Sequence, residues 1–152
     1  MTKFVIDTNV IVSAAMSPNG EASRIIRLFL DGEIDIYYSI DTLAEYEDVL
    51  SREYLNIPVE TQKEYLDMIT IHGALINPDV SDIYIPDEDD RIFYDVATKA
   101  RATVVTYNIK DFPDESFIIT PTQCITELER LKELERQSIF FRADIEYDRE
   151  YE

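Results

Sequence analysis

The chain has 152 residues with an apolar share of 45%, which suits one folded domain with a real core and argues against wholesale disorder. Its single cysteine, Cys124, excludes an intrachain disulfide and agrees with a reducing compartment. Asp and Glu number 32 against 14 Lys and Arg, a formal charge of −18, so the surface repels nucleic acid at long range unless bound cations or a basic partner invert the local charge.

Residues 3–7 read as a short buried strand and 8–16 as a helix. After the turn formers at 17–20, residues 21–31 place Ala22, Ile25, Ile26, Phe29 and Leu30 at helical spacing, with Gly32 as the C-terminal stop. Residues 35–39 are a second strand, followed by a helix starting at Asp41 or Thr42 and carrying Leu43, Val49 and Leu50. Pro58 opens a helix to about His72, and a short strand is expected at 74–76. A helix over 87–100, strands over 102–106 and 117–119, and a last helix opened by Pro121 and ending about Gln137 complete the chain. Strands alternating with helices imply an α/β fold, a three-layer α/β/α sandwich on a mainly parallel sheet. The expected division is a domain over 1–137 and an acidic tail or docking arm over 138–152. The N-terminal stretch does not read as a secretory leader, and no apolar run reaches the ~18 residues of a membrane span. A cytoplasmic protein without membrane attachment is expected.

Chemistry-bearing residues gather at a few joints. Asp7-Thr8-Asn9 stands where an apolar strand meets a helix, the place where open parallel sheets bind ligands; Asp7 is equally suited to capping that helix. Glu45 rides the third helix, where glutamates are ordinarily solvated. Four carboxylates, Asp87-Glu88-Asp89-Asp90, repel one another unless solvent or a cation relieves them. They also suit the positive end of a helix dipole. Asp90 shares a helical face with Phe93 and Ala97 and is directed to the sheet edge, while Asp87 is placed as the helix cap. The strand at 102–106 ends in Thr106, followed by Asn108 and Asp111, in a segment that also reads as a plain turn. Carboxylates without clustered His or Cys suit hard cations such as Mg²⁺ or Mn²⁺, which activate water and stabilise the leaving oxygen in phosphodiester hydrolysis. His72 lies far from these motifs and is read as structural or exposed.

In this order the motifs resemble the PIN-domain family: Asp7-Thr8-Asn9-Val10, Leu43-Ala44-Glu45-Tyr46 with Val49-Leu50, Pro86 to Asp90 with Ala97, Val105-Thr106 with Lys110-Asp111-Phe112, and Ile119-Thr120-Pro121. The resemblance spans roughly residues 3–126. It implies an Mg²⁺- or Mn²⁺-dependent endoribonuclease with Asp7, Glu45 and Asp90 as metal-binding, catalytic acids, and Asn9 and Thr106 as polar supports. Where the family's fourth acid often follows a Thr-Gly pair, this chain has Asn108 after Tyr107, with Asp111 as the candidate to supply the charge. The chain is also similar to the toxin-like subgroup of toxin–antitoxin pairs, which implies an RNA substrate, a small antitoxin that places a basic side chain in the acidic site, and a homodimer. A catalytically inactive PIN domain serving as an RNA- or protein-binding module is the alternative. A haloacid-dehalogenase-type phosphotransferase needs an aspartate where Asn9 stands, and a receiver domain needs one where the strand at 35–39 ends in Ser39.

Overall fold

The computed structural model describes residues 2–150. Five strands, β1 (Lys3–Ile6), β2 (Asp35–Tyr38), β3 (Ala74–Leu75), β4 (Thr103–Val105) and β5 (Ile118–Ile119), form one sheet in the order β3-β2-β1-β4-β5. Every pairing is parallel, with Phe4 opposite both Ile36 and Thr103. Helices α1 (Thr8–Met16), α2 (Glu21–Leu30), α3 (Ile40–Leu50), α4 (Val59–His72), α5 (Arg91–Ala100) and α6 (Pro121–Glu150) fill the connections and the C-terminal side. This is the expected α/β/α class. The central strands explain themselves: Phe4, Val5 and Ile6 of β1 and Val104 and Val105 of β4 are all buried, the continuous apolar run of strands covered on both faces.

The chain moves outward from β1 through β2 to β3 and then returns to pair β4 on the other side of β1. The switch point therefore lies between the C-terminal ends of β1 and β4, where such sheets open a crevice for ligands. Asp7 and Thr106 follow those two strands directly.

Local chemistry sets the helix ends. Gly32 adopts φ +77° after α2, and Glu33 N–H reaches back to the Leu28 carbonyl at 3.0 Å, the closing bond of a left-handed helix stop. Helix α3 starts at Ile40, ahead of the expected Asp41 or Thr42, because Ser39 and Thr42 cap each other reciprocally. Its buried face is Thr42, Tyr46 and Leu50, with Leu43 and Val49 only part-covered. The expected helix over 87–100 divides into a 3-10 turn at Glu88–Asp90 and α5. The last helix does not stop near Gln137 but runs to Glu150. No proline or glycine interrupts residues 122–150, and exposed pairs such as Glu127–Arg130 and Glu133–Arg136 lie at helical spacing along it. Residues 151 and 152 of the expected tail lie outside the described residues. By contacts the chain forms one compact unit up to Pro121 and a second from Thr122 onward. Among the described residues, no helix is long and apolar enough to cross a membrane.

Candidate functional site

Asp7 is the buried centre of the β1–β4 junction, 5% exposed. Its backbone N–H bonds the Val105 carbonyl at 3.0 Å, locking it to the neighbouring strand. Its carboxylate accepts from Thr8 N–H at 2.7 Å, as the cap of α1, and from the Thr106 hydroxyl at 2.7 Å. Thr106 Oγ1 in turn accepts from Asn108 N–H at 3.0 Å, and Asn9 Oδ1 accepts from Tyr107 N–H at 3.3 Å. Capping and site chemistry are thus compatible uses of one carboxylate. Burial pushes the Asp7 carboxyl above its ordinary range. The Thr106 and Thr8 donors oppose that rise, and the charges of Asp111 and Glu45 add to it.

Glu45 reaches this neighbourhood through Tyr46. The Tyr46 hydroxyl, on a fully buried ring, donates to the Ile6 carbonyl at the end of β1. That bond pins α3 beside the junction and brings half-buried Glu45 within electrostatic range of Asp7. The Tyr46 and Phe93 rings, 6.0 Å apart, tie α3 to the first turn of α5.

Among the described residues, Asp87, Asp90 and Asp111 form an acidic group, each part-buried, with one carboxylate oxygen apiece within 4.8 Å of the others. Backbone bonds assemble it: Asp90 N–H to the Asp87 carbonyl at 3.1 Å, Asp87 N–H to the Asp111 carbonyl at 3.3 Å, and Asp111 N–H to the Asn108 carbonyl at 3.0 Å. The loop before it is fastened by Arg91, whose guanidinium donates to Ser81 O and Oγ and to the Ile83 carbonyl, each at 2.8 Å, and also engages Glu88. Buried Asp95 accepts from Ser81 N–H at 3.3 Å. Burial, then the charges of Asp7, Asp87, Asp111 and Asp89, push the Asp90 carboxyl up to about 8.

Of the sequence candidates, Asp90 and Asp111 therefore meet in one group, and Asp7 couples electrically to both and to Glu45. Thr106, Asn9 and Asn108 form the polar frame around Asp7. Asp87, read from sequence only as a cap, does cap its turn by accepting from Asp89 N–H at 3.1 Å, and it is also a member of the acidic group. Arg91 and Asp95 were absent from the sequence candidates; their partners lie ten and fourteen residues upstream, a separation that leaves no periodic mark. His72 is exposed and packs edge-on to Phe29.

The residues fit a hard divalent cation. The donors are all oxygens, Asp90 is raised by burial and by acidic neighbours on several sides, and the buried Thr8 hydroxyl, next to Asp7, lacks a hydrogen-bond partner among the described residues. A cavity of about 470 Å³ lined by Ser39, Ile40, Asn77, Arg91, Ile92 and Asp95, among others, includes none of the candidate acids. The candidate centre is a group of part-buried carboxylates.

An all-parallel α/β domain with carboxylates gathered at its switch point defines the class. A family model described as the PIN domain matches residues 3–110, and the chain belongs to that family. It is 32% identical over 107 residues to the uncharacterized protein MJ1680 of Methanocaldococcus jannaschii, covering 68% of this chain and 69% of that protein. In fold it is similar to the crystal structure of VapBC2 from Rickettsia felis bound to a DNA fragment from their promoter, with a TM-score of 0.54 and 22% identity over 78% of this chain and 97% of that one.

Proposed function

We propose that the chain is an Mg²⁺- or Mn²⁺-dependent endoribonuclease and the toxin half of a toxin–antitoxin pair. The observation that carries the catalytic part is the Asp87–Asp90–Asp111 group, electrically coupled to Asp7 at the sheet's switch point. Asp7, Glu45, Asp90 and Asp111, joined by Asp87, are the residues that would hold the cation. Bound there, it supplies positive charge against the negative charge that builds on a phosphodiester and a means of activating water. The chain's own residues fix the carboxylates. Thr106 holds the Asp7 carboxylate in one orientation, Asn9 holds the turn after β4, and the Arg91–Asp95 anchors hold the approach to Asp87. The reaction is attack of water on phosphorus with loss of one P–O bond and no covalent enzyme intermediate.

The pairing with a small antitoxin is supported by the acidity of the chain. At −18, a basic side chain entering the carboxylate group meets a complementary field. The structurally similar VapBC2 of Rickettsia felis is bound to a DNA fragment from their promoter. Asn108, bringing no charge where an acid is expected, favours the second reading, an inactive module that binds RNA or protein.

Purified protein incubated with single-stranded RNA in Mg²⁺ or Mn²⁺ separates the two. Cleavage that disappears with chelator and in Asp7→Asn supports the enzyme. RNA binding without cleavage in either metal supports the module. Cleavage that survives in a clean Asp7→Asn preparation overturns the proposed mechanism.

A further inference from the structure

Tyr107 follows Thr106 at the end of β4, one residue from the group that bonds Asp7, and 47% of it is exposed. It is tied at both ends. Its backbone N–H donates to Asn9 Oδ1 at 3.3 Å, and its hydroxyl lies 3.3 Å from Ser13 Oγ. Asn9 and Ser13 are four residues apart on α1 and so lie on one strip of that helix. A ring anchored at its base and tip to the same strip lies along the helix and leaves the rest of its surface to solvent. The carboxylate site makes no use of that ring.

Charge gives the ring a task. A protein of net charge −18 gains little from the counterion release that ordinarily holds nucleic acid. Stacking of an unpaired base on an aromatic side chain is independent of net charge and tolerant of sequence. Preorganisation strengthens such a contact, because the ring loses little freedom on binding.

We propose that Tyr107 is a stacking platform for an unpaired nucleobase of a single-stranded RNA whose backbone lies against the acidic edge. The identity of the ligand rests on the nuclease reading above. A base-paired duplex keeps its bases inside the helix and cannot use the ring.

The test is fluorescence titration of a single-stranded oligoribonucleotide carrying one 2-aminopurine, placed at each position in turn. It is done in Mn²⁺, read by stopped flow before turnover, with strand integrity checked on a gel. Wild type is expected to quench the probe at one favoured position, and Tyr107→Phe, which keeps the ring but loses the hydroxyl tie to Ser13, to quench at that same position and bind slightly more weakly. Tyr107→Leu is expected to lose the quench and to bind about 10- to 100-fold more weakly, the size of one base-on-ring contact, by the same factor at low and high salt. The fully paired duplex should show neither effect. Tyr107→Leu binding and quenching like wild type overturns the platform and leaves the ring to a protein contact; absence of any wild-type binding overturns it as well. Parallel cleavage assays keep the two ideas apart. Cleavage by wild type with an unaltered Tyr107→Leu variant sinks the platform alone. A Tyr107-dependent quench without metal-dependent cleavage sinks the nuclease alone.

Discussion

Asp7 and Asp90 are the same residue type at the same end of one sheet, yet the chain treats them differently. Asp7 is almost wholly buried and receives two short hydrogen bonds, from Thr8 N–H and the Thr106 hydroxyl. Asp90 is half-buried, makes no side-chain cap bond at the start of α5, and faces Asp7, Asp87, Asp111 and Asp89. Protein donors orient the Asp7 carboxylate and offset part of the rise that its burial causes. The other is left with acidic neighbours, an arrangement that a divalent cation, on the proposed reading, would relieve. The first is tied into the fold by hydrogen bonds, and the second sits among like charges at its edge.

The largest expected effect ignores the difference, because the proposed nuclease would use both acids to hold its cation. Asp7→Asn and Asp90→Asn should each reduce metal-dependent RNA cleavage by more than the ~10–100-fold typical of residues that only orient metal ligands. A single-turnover assay measures this, and activity near wild type in either variant removes that residue from the site.

Stability should then separate the pair by sign. Asp7→Ala strands the buried Thr106 hydroxyl and Thr8 N–H, which costs about 1–3 kcal/mol for an unsatisfied buried donor. Asp90→Ala strands no such donor and relieves repulsion, so the metal-free protein should unfold at higher denaturant. Urea titrations of both variants in chelator check this, and shifts of the same sign break the comparison.

Thr106→Val acts on the anchor alone. It removes the hydroxyl that orients Asp7 and should weaken Mn²⁺ binding by ~10-fold, the lower end of the outer-residue range. Calorimetric titration reads this directly.

The smallest expected effect is with pH, because solvent reaching half-buried Asp90 screens much of its shift. The Asp90 carboxyl is raised from about 4 to about 8, so between these values the folded protein retains a proton that the unfolded chain has lost. The Asp90 contribution to metal-free stability should therefore be most favourable at low pH, fall as pH climbs through that window, and level off above about 8. Asp90→Asn should flatten this slope in melts taken across the window, and an unchanged slope assigns the titration to another group.

How much of this was legible in the sequence follows from the range of each interaction. The junctions at Asp7 and Thr106 stand out because an apolar run followed by polar residues marks the end of a buried strand. The spacing of Asp90 with Phe93 and Ala97 suffices to orient α5, and the latter two residues are buried. Asp87 was only half legible. Its carboxylate caps the turn, a role with a sequence signature, whereas its meeting with Asp111 depends on a backbone bond across more than twenty residues. Arg91 and Asp95 were hidden for the same reason. The full length of α6 was not legible because the many charges mixed with Phe140 and Phe141 read as a separate tail, while the backbone responds to the absence of proline and glycine.

On the proposed reading, Asp90 takes its charge balance from a bound cation while Asp7 is oriented by hydrogen bonds within the protein. Thermal melts of wild type and Asp90→Asn, each in chelator and in excess Mn²⁺, test it most directly. The expected result is a wild-type midpoint that climbs with Mn²⁺, by about 2.7 kcal/mol of stability at a hundredfold excess over Kd, and an Asp90→Asn midpoint that starts higher and moves little. Equal Mn²⁺-induced shifts in the two proteins would show that the cation binds elsewhere and contradict the account.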